Sequence, residues 1–338
     1  MKETVPKLNH PERRRTNSTL NDLQEMTVAA SAVLGIILTA SVPAICRTQQ
    51  PDQKTFASAE EASKALLDAE KKNDEKGLLE VLGQDGKQVV TSGDPAEDEQ
   101  NRATFIQKYE VMHRLVHEPD GKTVLYIGAE NWPLPIPIAK SGDRWYFDTE
   151  AGKEEILFRR IGHNELSAIR VCQELVEAEK EYRSKHGDQY AQKFVSDEGK
   201  QNGLYWAAAD KRSESPIGPL VANAGSDVVA GGNPQRHEPF RGYYFRILVR
   251  QGRNAAGGAM DYLTEGKLTK GFAFAAYPAA YRDSGVMTFI VNQDGIVYEK
   301  DLGKNTVPLA KAIQEYNPDS SWRRSAIAEQ LAEEHSAK

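Results

Sequence analysis

The sequence predicts an α+β protein: an N-terminal signal or membrane helix, then helices with a curved antiparallel sheet, then a long helix packed on a second antiparallel sheet. Three observations predict it. An uncharged run, Met26 to Cys46, closes the N-terminal region, and twice after it apolar residues at helical spacing give way to alternating, β-rich runs. At 338 residues, 39% hydrophobic and 27% charged, the chain is long enough for two packed domains.

Lys2, Lys7 and the run Arg13, Arg14, Arg15 precede the uncharged span, and Arg47 ends it. That order is the order of an export signal, with the basic end held on the cytoplasmic side. Val42 and Ala44 suit the small-residue positions before a cleavage after Ala44. The same length serves equally as an inner-membrane anchor through residues 26–46. Cys46 adds a lipoprotein alternative, for which Ile45 is a poor preceding residue, and a buried soluble helix is a fourth reading. Frequent Ala, Ser and Thr make the span only mildly hydrophobic, which favours a processed signal. The expected compartment is the periplasm or cell envelope, with residues 1–44 as signal or anchor and 45–57 as linker.

Residues 58–158 form the first expected domain. Ser58 and Glu61 are spaced as a capping box that opens a helix carrying Ala62, Ala65, Leu66 and Ala69 on one face. Asn73 and Asp74 break it, and Leu78, Leu79 and Leu82 resume until Gly83. A further helix follows Ser92 to Pro95, with a stripe of Phe105, Ile106, Tyr109, Met112 and Val116. Thr123 to Ile127, Trp132 to Ile138 and Arg144 to Phe147 then read as strands. Pro133, Pro135 and Pro137 remove donors from one side of the middle strand, which should place it at a sheet edge.

The second expected domain spans 159–322, followed by a polar tail, 323–338. Asn164 is placed to cap a helix with the stripe Ala168, Val171, Cys172, Leu175, Ala178 and Tyr182. Residues 196–240 are rich in Gly, Pro, Ser and Asn and read as an irregular excursion. Gly242 to Arg250, Gly271 to Tyr277, Val286 to Val291 and Ile296 to Lys300 are strands, the last two joined by a turn at Asn292 to Gly295.

The chemistry-bearing candidates are few. Arg159, Arg160, His163 and Glu165 gather acid, base and cation within seven residues, a set suited to binding a carboxylate, to proton transfer, or to ion pairing and capping. Tyr205 and Trp206 lie in the irregular stretch as candidate surface contacts, whereas Trp132 and Trp145 on strands are expected in the core. His113 and His117 stand four apart on a predicted helix, the spacing of two metal ligands, without a third nearby. Of the two cysteines, Cys46 sits at the signal boundary and Cys172 in an apolar stripe, so no disulfide framework is expected. Gly225 to Gly232 and Gly252 to Gly258 lack the Lys-Ser or Lys-Thr ending of a phosphate loop, and no Gly-x-Ser-x-Gly, His-Glu-x-x-His or Cys-x-x-Cys motif occurs. No cofactor is called for. The 43 Lys and Arg against 49 Asp and Glu leave a net charge of -6, which argues against nucleic acid as a partner. The expected partner is an envelope protein or a small ligand.

Three resemblances add to this. The element order of the first domain, with Ala65-Leu66-Leu67-Asp68-Ala69-Glu70-Lys71-Lys72-Asn73-Asp74, resembles the nuclear-transport-factor-like cone fold. Asn164 to Ile169, Ala178 to Tyr182 and the blocks Gly-Tyr-Tyr-Phe, Phe-Ala-Phe-Ala-Ala-Tyr-Pro, Thr-Phe-Ile-Val and Asp-Gly-Ile-Val-Tyr are similar to pilin and pseudopilin head domains, although here a whole domain intervenes between the apolar span and the head helix. Across 54–322, the blocks at 131–137, 144–148, 159–165, 203–206, 215–219 and 287–291 resemble a family of exported Gram-negative bacterial proteins known as a domain of unknown function. That family carries no assigned chemistry to transfer, and the leading expectation for the chain is a non-enzymatic binding or assembly module. The alternatives are a hydrolase or isomerase with its site in the cone cavity, and a pseudopilin-like filament component.

Overall fold

A computed structural model describes residues 50, 52–90, 95–207, 214–226 and 238–336. The span 26–46, Ala44 and Cys46 lie outside them. The fold is α+β, and the chain divides into two compact units, Met1–Glu155 and Ile156–Lys338.

In the first unit, α1 (Ala59–Lys72) starts where Ser58 Oγ accepts the Glu61 amide at 3.1 Å, and Glu61 returns the bond to the amide of Ala57 at 3.0 Å, one residue before the expected position. It stops where Asn73 takes the left-handed conformation, φ 50°. α2 (Glu75–Leu82) is capped by Asp74, and α3 (Lys87–Val90) and α4 (Pro95–Val111) follow. The stretch read as linker is held from its last residues onward. Buried Gln53 donates to the carbonyls of Val81 and Phe147, and Phe56 pairs through its backbone with Trp145.

The sheet of this unit contains β1 (His113–His117), β2 (Thr123–Ile127), β3 (Trp132–Pro133), β4 (Ile138–Ser141) and β5 (Arg144–Phe147), in the order β1-β2-β4-β5 with β3 also on β2. Two expectations are corrected here. His113 and His117 lie on a strand, not a helix, because α4 ends where the Gly128 amide caps the carbonyls of Lys108 and Met112, and residues 113–117 then pair with β2 along their whole length. The proline segment is not a simple edge strand. Its two ends both pair with β2, β4 lies inside the sheet between β2 and β5, and Pro135 and Pro137 fall in the gap between the pairings. Its core packs Phe56, Leu66, Leu78, Val81, Leu82, Ile138 and Phe147 together.

α5 (Thr149–His186) begins in the first unit and belongs from Ile156 onward to the second. Asp148 caps its start by accepting the Ala151 amide at 3.0 Å. Asn164 is therefore interior to the helix rather than its cap. Gly162 alone does not break it, since a lone glycine costs only about 1 kcal/mol within a helix. After it come α6 (Pro219–Asn223), β6 (Gly225–Ser226), β7 (Tyr243–Leu248), and two short pairs, β8 (Arg250–Gln251) with β9 (Met260–Asp261) and β10 (Leu263–Thr264) with β11 (Lys267–Leu268). Then follow β12 (Ala273–Pro278), β13 (Met287–Asn292), β14 (Tyr298–Asp301), α7 (Thr306–Ala312), β15 (Arg323–Arg324) and α8 (Ala326–Ser336).

The large sheet runs β15-β14-β13-β12-β7-β6, antiparallel except for the β6–β7 pair. β12 is buried at every position, the pattern of a central strand covered on both faces. The core of this unit gathers Cys172, Leu175 and Val176 of α5 with Tyr243, Phe245, Phe272, Phe274 and Phe289. The C-terminal tail is part of the same unit. Arg323 and Arg324 pair with β14, Ser325 is fully buried, and Ala328 packs into the core while Gln173 of α5 donates to its carbonyl.

Candidate functional site

The cluster named from sequence, Arg159 to Glu165, sits on α5 beside the 280–287 loop. One oxygen of Glu165 accepts two successive amides, Val286 at 2.8 Å and Met287 at 3.0 Å, so the carboxylate fixes the entry of β13. Burial pushes the Glu165 carboxyl above its usual range. The two amides pull it back, and the charges of Glu299 and Asp301 push it up again. Asn164 Nδ2 donates to the Ser284 carbonyl at 2.9 Å. Exposed Arg160 reaches Asp283 at 3.6 Å, and Arg159 is half-buried.

The turn that opens β7 joins this corner. Phe240 and Tyr243 exchange backbone hydrogen bonds across Arg241 and Gly242, whose φ values are 48° and 73°. Two successive positive φ angles make a two-residue hairpin turn of the kind that favours Asn and Gly. A Cβ on Gly242 would meet Ser284 Cβ at 2.7 Å and Asn164 Nδ2 at 2.8 Å, so only glycine lets the turn approach α5 this closely. His163 is held below its ordinary pKa by burial first, and then by the positive charges of Arg241 and Arg170. Its imidazole therefore takes up a proton less readily than a free one.

Tyr205 and Trp206 do not form the exposed pair expected. Trp206 is only 8% exposed and belongs to the core, with its ring 6.2 Å from that of His186. Tyr205 is half-buried, its backbone tied to Phe194 and Ser196. Irregular backbone predicts exposure only on average, and here the stretch folds back onto the helix. A further buried polar residue of α5 lies outside the candidates drawn from the sequence. Glu179 is fully buried, one oxygen accepting the Ala191 amide at 2.8 Å and the other without a partner among the described residues. Its signal was present: position 179 falls four after Leu175 and three before Tyr182, inside the apolar stripe.

On β1, His113 and His117 face the same side but stand about 13 Å apart, four strand residues, against about 5–6 Å on a helix. They cannot share one ion. His113 stacks on Tyr109 with centroids 4.0 Å apart and donates from Nδ1 to the Tyr109 carbonyl, while His117 Nδ1 shares a hydrogen bond with Thr123 Oγ1. Among the described residues no group of three or more His, Cys, Asp or Glu is arranged to hold a metal. Cys172 is fully buried, and burial pushes its thiol up to about 12, which makes it inert as a nucleophile.

A family model described as "Protein of unknown function (DUF2950)" matches residues 53–325. The chain belongs to this family. The DUF2950 span takes in the Arg159 to Glu165 cluster and the Arg241 turn, and it runs from one buried anchor, Gln53, to another, Ser325. No curated protein and no solved structure gave a match. No helix among the described residues is long and apolar enough to cross a membrane.

Proposed function

We propose that the chain is exported to the bacterial cell envelope and acts there as a binding or assembly module rather than as an enzyme. The observation that carries the export half is the uncharged run from Met26 to Cys46 behind Lys2, Lys7 and Arg13 to Arg15. Support for the binding half is the basic corner on α5, whose backbone is fixed by the Glu165 clamp and the Asn164 bond to Ser284. Preorganised groups of this kind lower the ordering cost of recognition.

Two measurements test the two halves. A reporter active only outside the cytoplasm, fused after Lys54, should be active; a reporter that works only in the cytoplasm refutes export. Amino-terminal sequencing then separates cleavage after Ala44 from retention of 26–46 or lipidation at Cys46. For binding, recovery of envelope partners should fall in an Arg159→Ala, Arg160→Ala double variant. Recovery of the same partners in the same amounts counts against this surface.

A further inference from the structure

We infer that the corner formed by His163 and Arg170 of α5 and Arg241 of the Phe240–Tyr243 turn is a binding site for a phosphate-type anion. This rests on the binding-module reading above and gives it a ligand class.

The geometry brings three donors from two elements together. Arg170 follows His163 by seven residues, two helical turns, so both side chains leave the same face of α5, about 10 Å apart along the axis. An arginine side chain spans much of that gap. Arg241 comes from far along the chain, and its position is fixed by its neighbour. Gly242 approaches so closely that an added Cβ would strike Asn164, the residue next to His163. Asn164 in turn is bonded to Ser284, which locks helix, turn and loop into one corner.

Among the described residues, the charges of this corner are uncompensated at close range. Arg160 has Asp283, Arg183 has Asp188, Arg323 has Glu299 and Arg324 has Glu329, all within 4 Å. Among the described residues no carboxylate lies that close to Arg170 or Arg241; Glu174, one turn beyond Arg170, interacts with it only at longer range. The charged groups acting on His163 are Arg170 from its own helix and Arg241 from the turn, both positive. Like charges gathered in this way are stabilised by a shared anion. Arg241 also occupies a left-handed position, φ 48°, where asparagine or glycine is the easy choice, so the guanidinium is kept there against local backbone preference.

The donor set selects the ligand. A guanidinium presents paired N–H groups that match the oxygens of a phosphate, and an imidazole N–H supplies one further hydrogen bond. A tetrahedral anion offers oxygens in several directions, which suits donors arriving from two elements better than a planar carboxylate does. The phosphate could belong to a free anion or to a lipid headgroup.

The test uses the full chain, inorganic phosphate, and vesicles of either phosphatidylglycerol or phosphatidylcholine. Phosphate should shift the His163 ring resonances saturably at pH 7. Arg170→Gln and Arg241→Gln should each weaken that binding at least five-fold, with thermal midpoints unchanged in the absence of phosphate, whereas Arg253→Gln, exposed in the turn beside Asn317, should leave it intact. Flotation with phosphatidylglycerol but not phosphatidylcholine vesicles, lost in the same two variants, assigns the lipid source; a response to inorganic phosphate alone assigns the free anion. The proposal is overturned if neither probe binds, or if all three variants respond like the parent, the mark of diffuse screening. Export and partner recovery that persist in that case leave the binding-module reading standing and remove only its ligand.

Discussion

Glu179→Gln is the sharpest test of how the second unit is built. The carboxyl is fully buried with one amide partner and one orphan oxygen, and burial holds its pKa well above the usual carboxylate value of 4.5. The folded chain therefore keeps a proton that the unfolded chain gives up. Because the native state then binds more protons, stability is fully present below the unfolded pKa and falls as pH rises towards the folded one, by about 1.4 kcal/mol per pH unit. Glutamine keeps an oxygen for the Ala191 amide and cannot ionise, so it removes this slope. Its extra N–H group, placed where the orphan oxygen was, adds a constant cost of about 1–3 kcal/mol. The measurement is urea denaturation from pH 5 to 6, followed by Trp206 and Trp322 fluorescence with Trp132 and Trp145 of the other unit replaced by Phe. Subtracting the variant from the parent removes the titrating groups that the two share, and the parent's advantage should shrink as pH rises over that unit, by at most about 1.4 kcal/mol. Parallel pH profiles would show that Glu179 is ionised in the fold and would refute the argument.

Other predictions follow from the same structure. Glu165→Ala strands the amides of Val286 and Met287 and should cost about 2–4 kcal/mol in chemical denaturation, while Glu165→Gln, which keeps an acceptor, should cost less than half of that; equal losses would show that the two amides are not what the side chain holds. Trp206→Ala should destabilise the chain by about 3–5 kcal/mol because it empties a core position, and Tyr205→Ala by clearly less, both read from urea midpoints. A Trp206 variant as stable as the parent would return that residue to the surface.

What was legible in the sequence was what periodicity encodes locally. β2 and β5 have the bounds their alternation implied, and α1, α2 and the buried stripe of α5 follow from capping and three-four spacing. β1 was missed because Leu115 and Val116 continue a helical stripe as well as they form a strand, and only pairing with β2, distant by a turn, decides between them. Asn164 looked like a cap because Gly162 looked like a break, but the true start lies at Asp148, where an aspartate accepts the Ala151 amide. In the candidate site, Arg159 to Glu165 could be read as a cluster since they are adjacent in the chain. Arg241 could not, because nothing local connects a turn at 241 with a helix at 163; the approach of Gly242 to Asn164 does so in three dimensions.

The strand order of the large sheet has a kinetic side. The apolar face of α5, complete by His186, is covered by strands that end only at Asp301, and β12 at the centre needs partners made both before and after it. At a synthesis rate of roughly 10 residues per second, that leaves the helix uncovered for about ten seconds. The first unit, complete by Glu155, can close early, whereas the second cannot bury the face of α5 until nearly all of the chain has been synthesised, so the two units fold in the order in which they emerge.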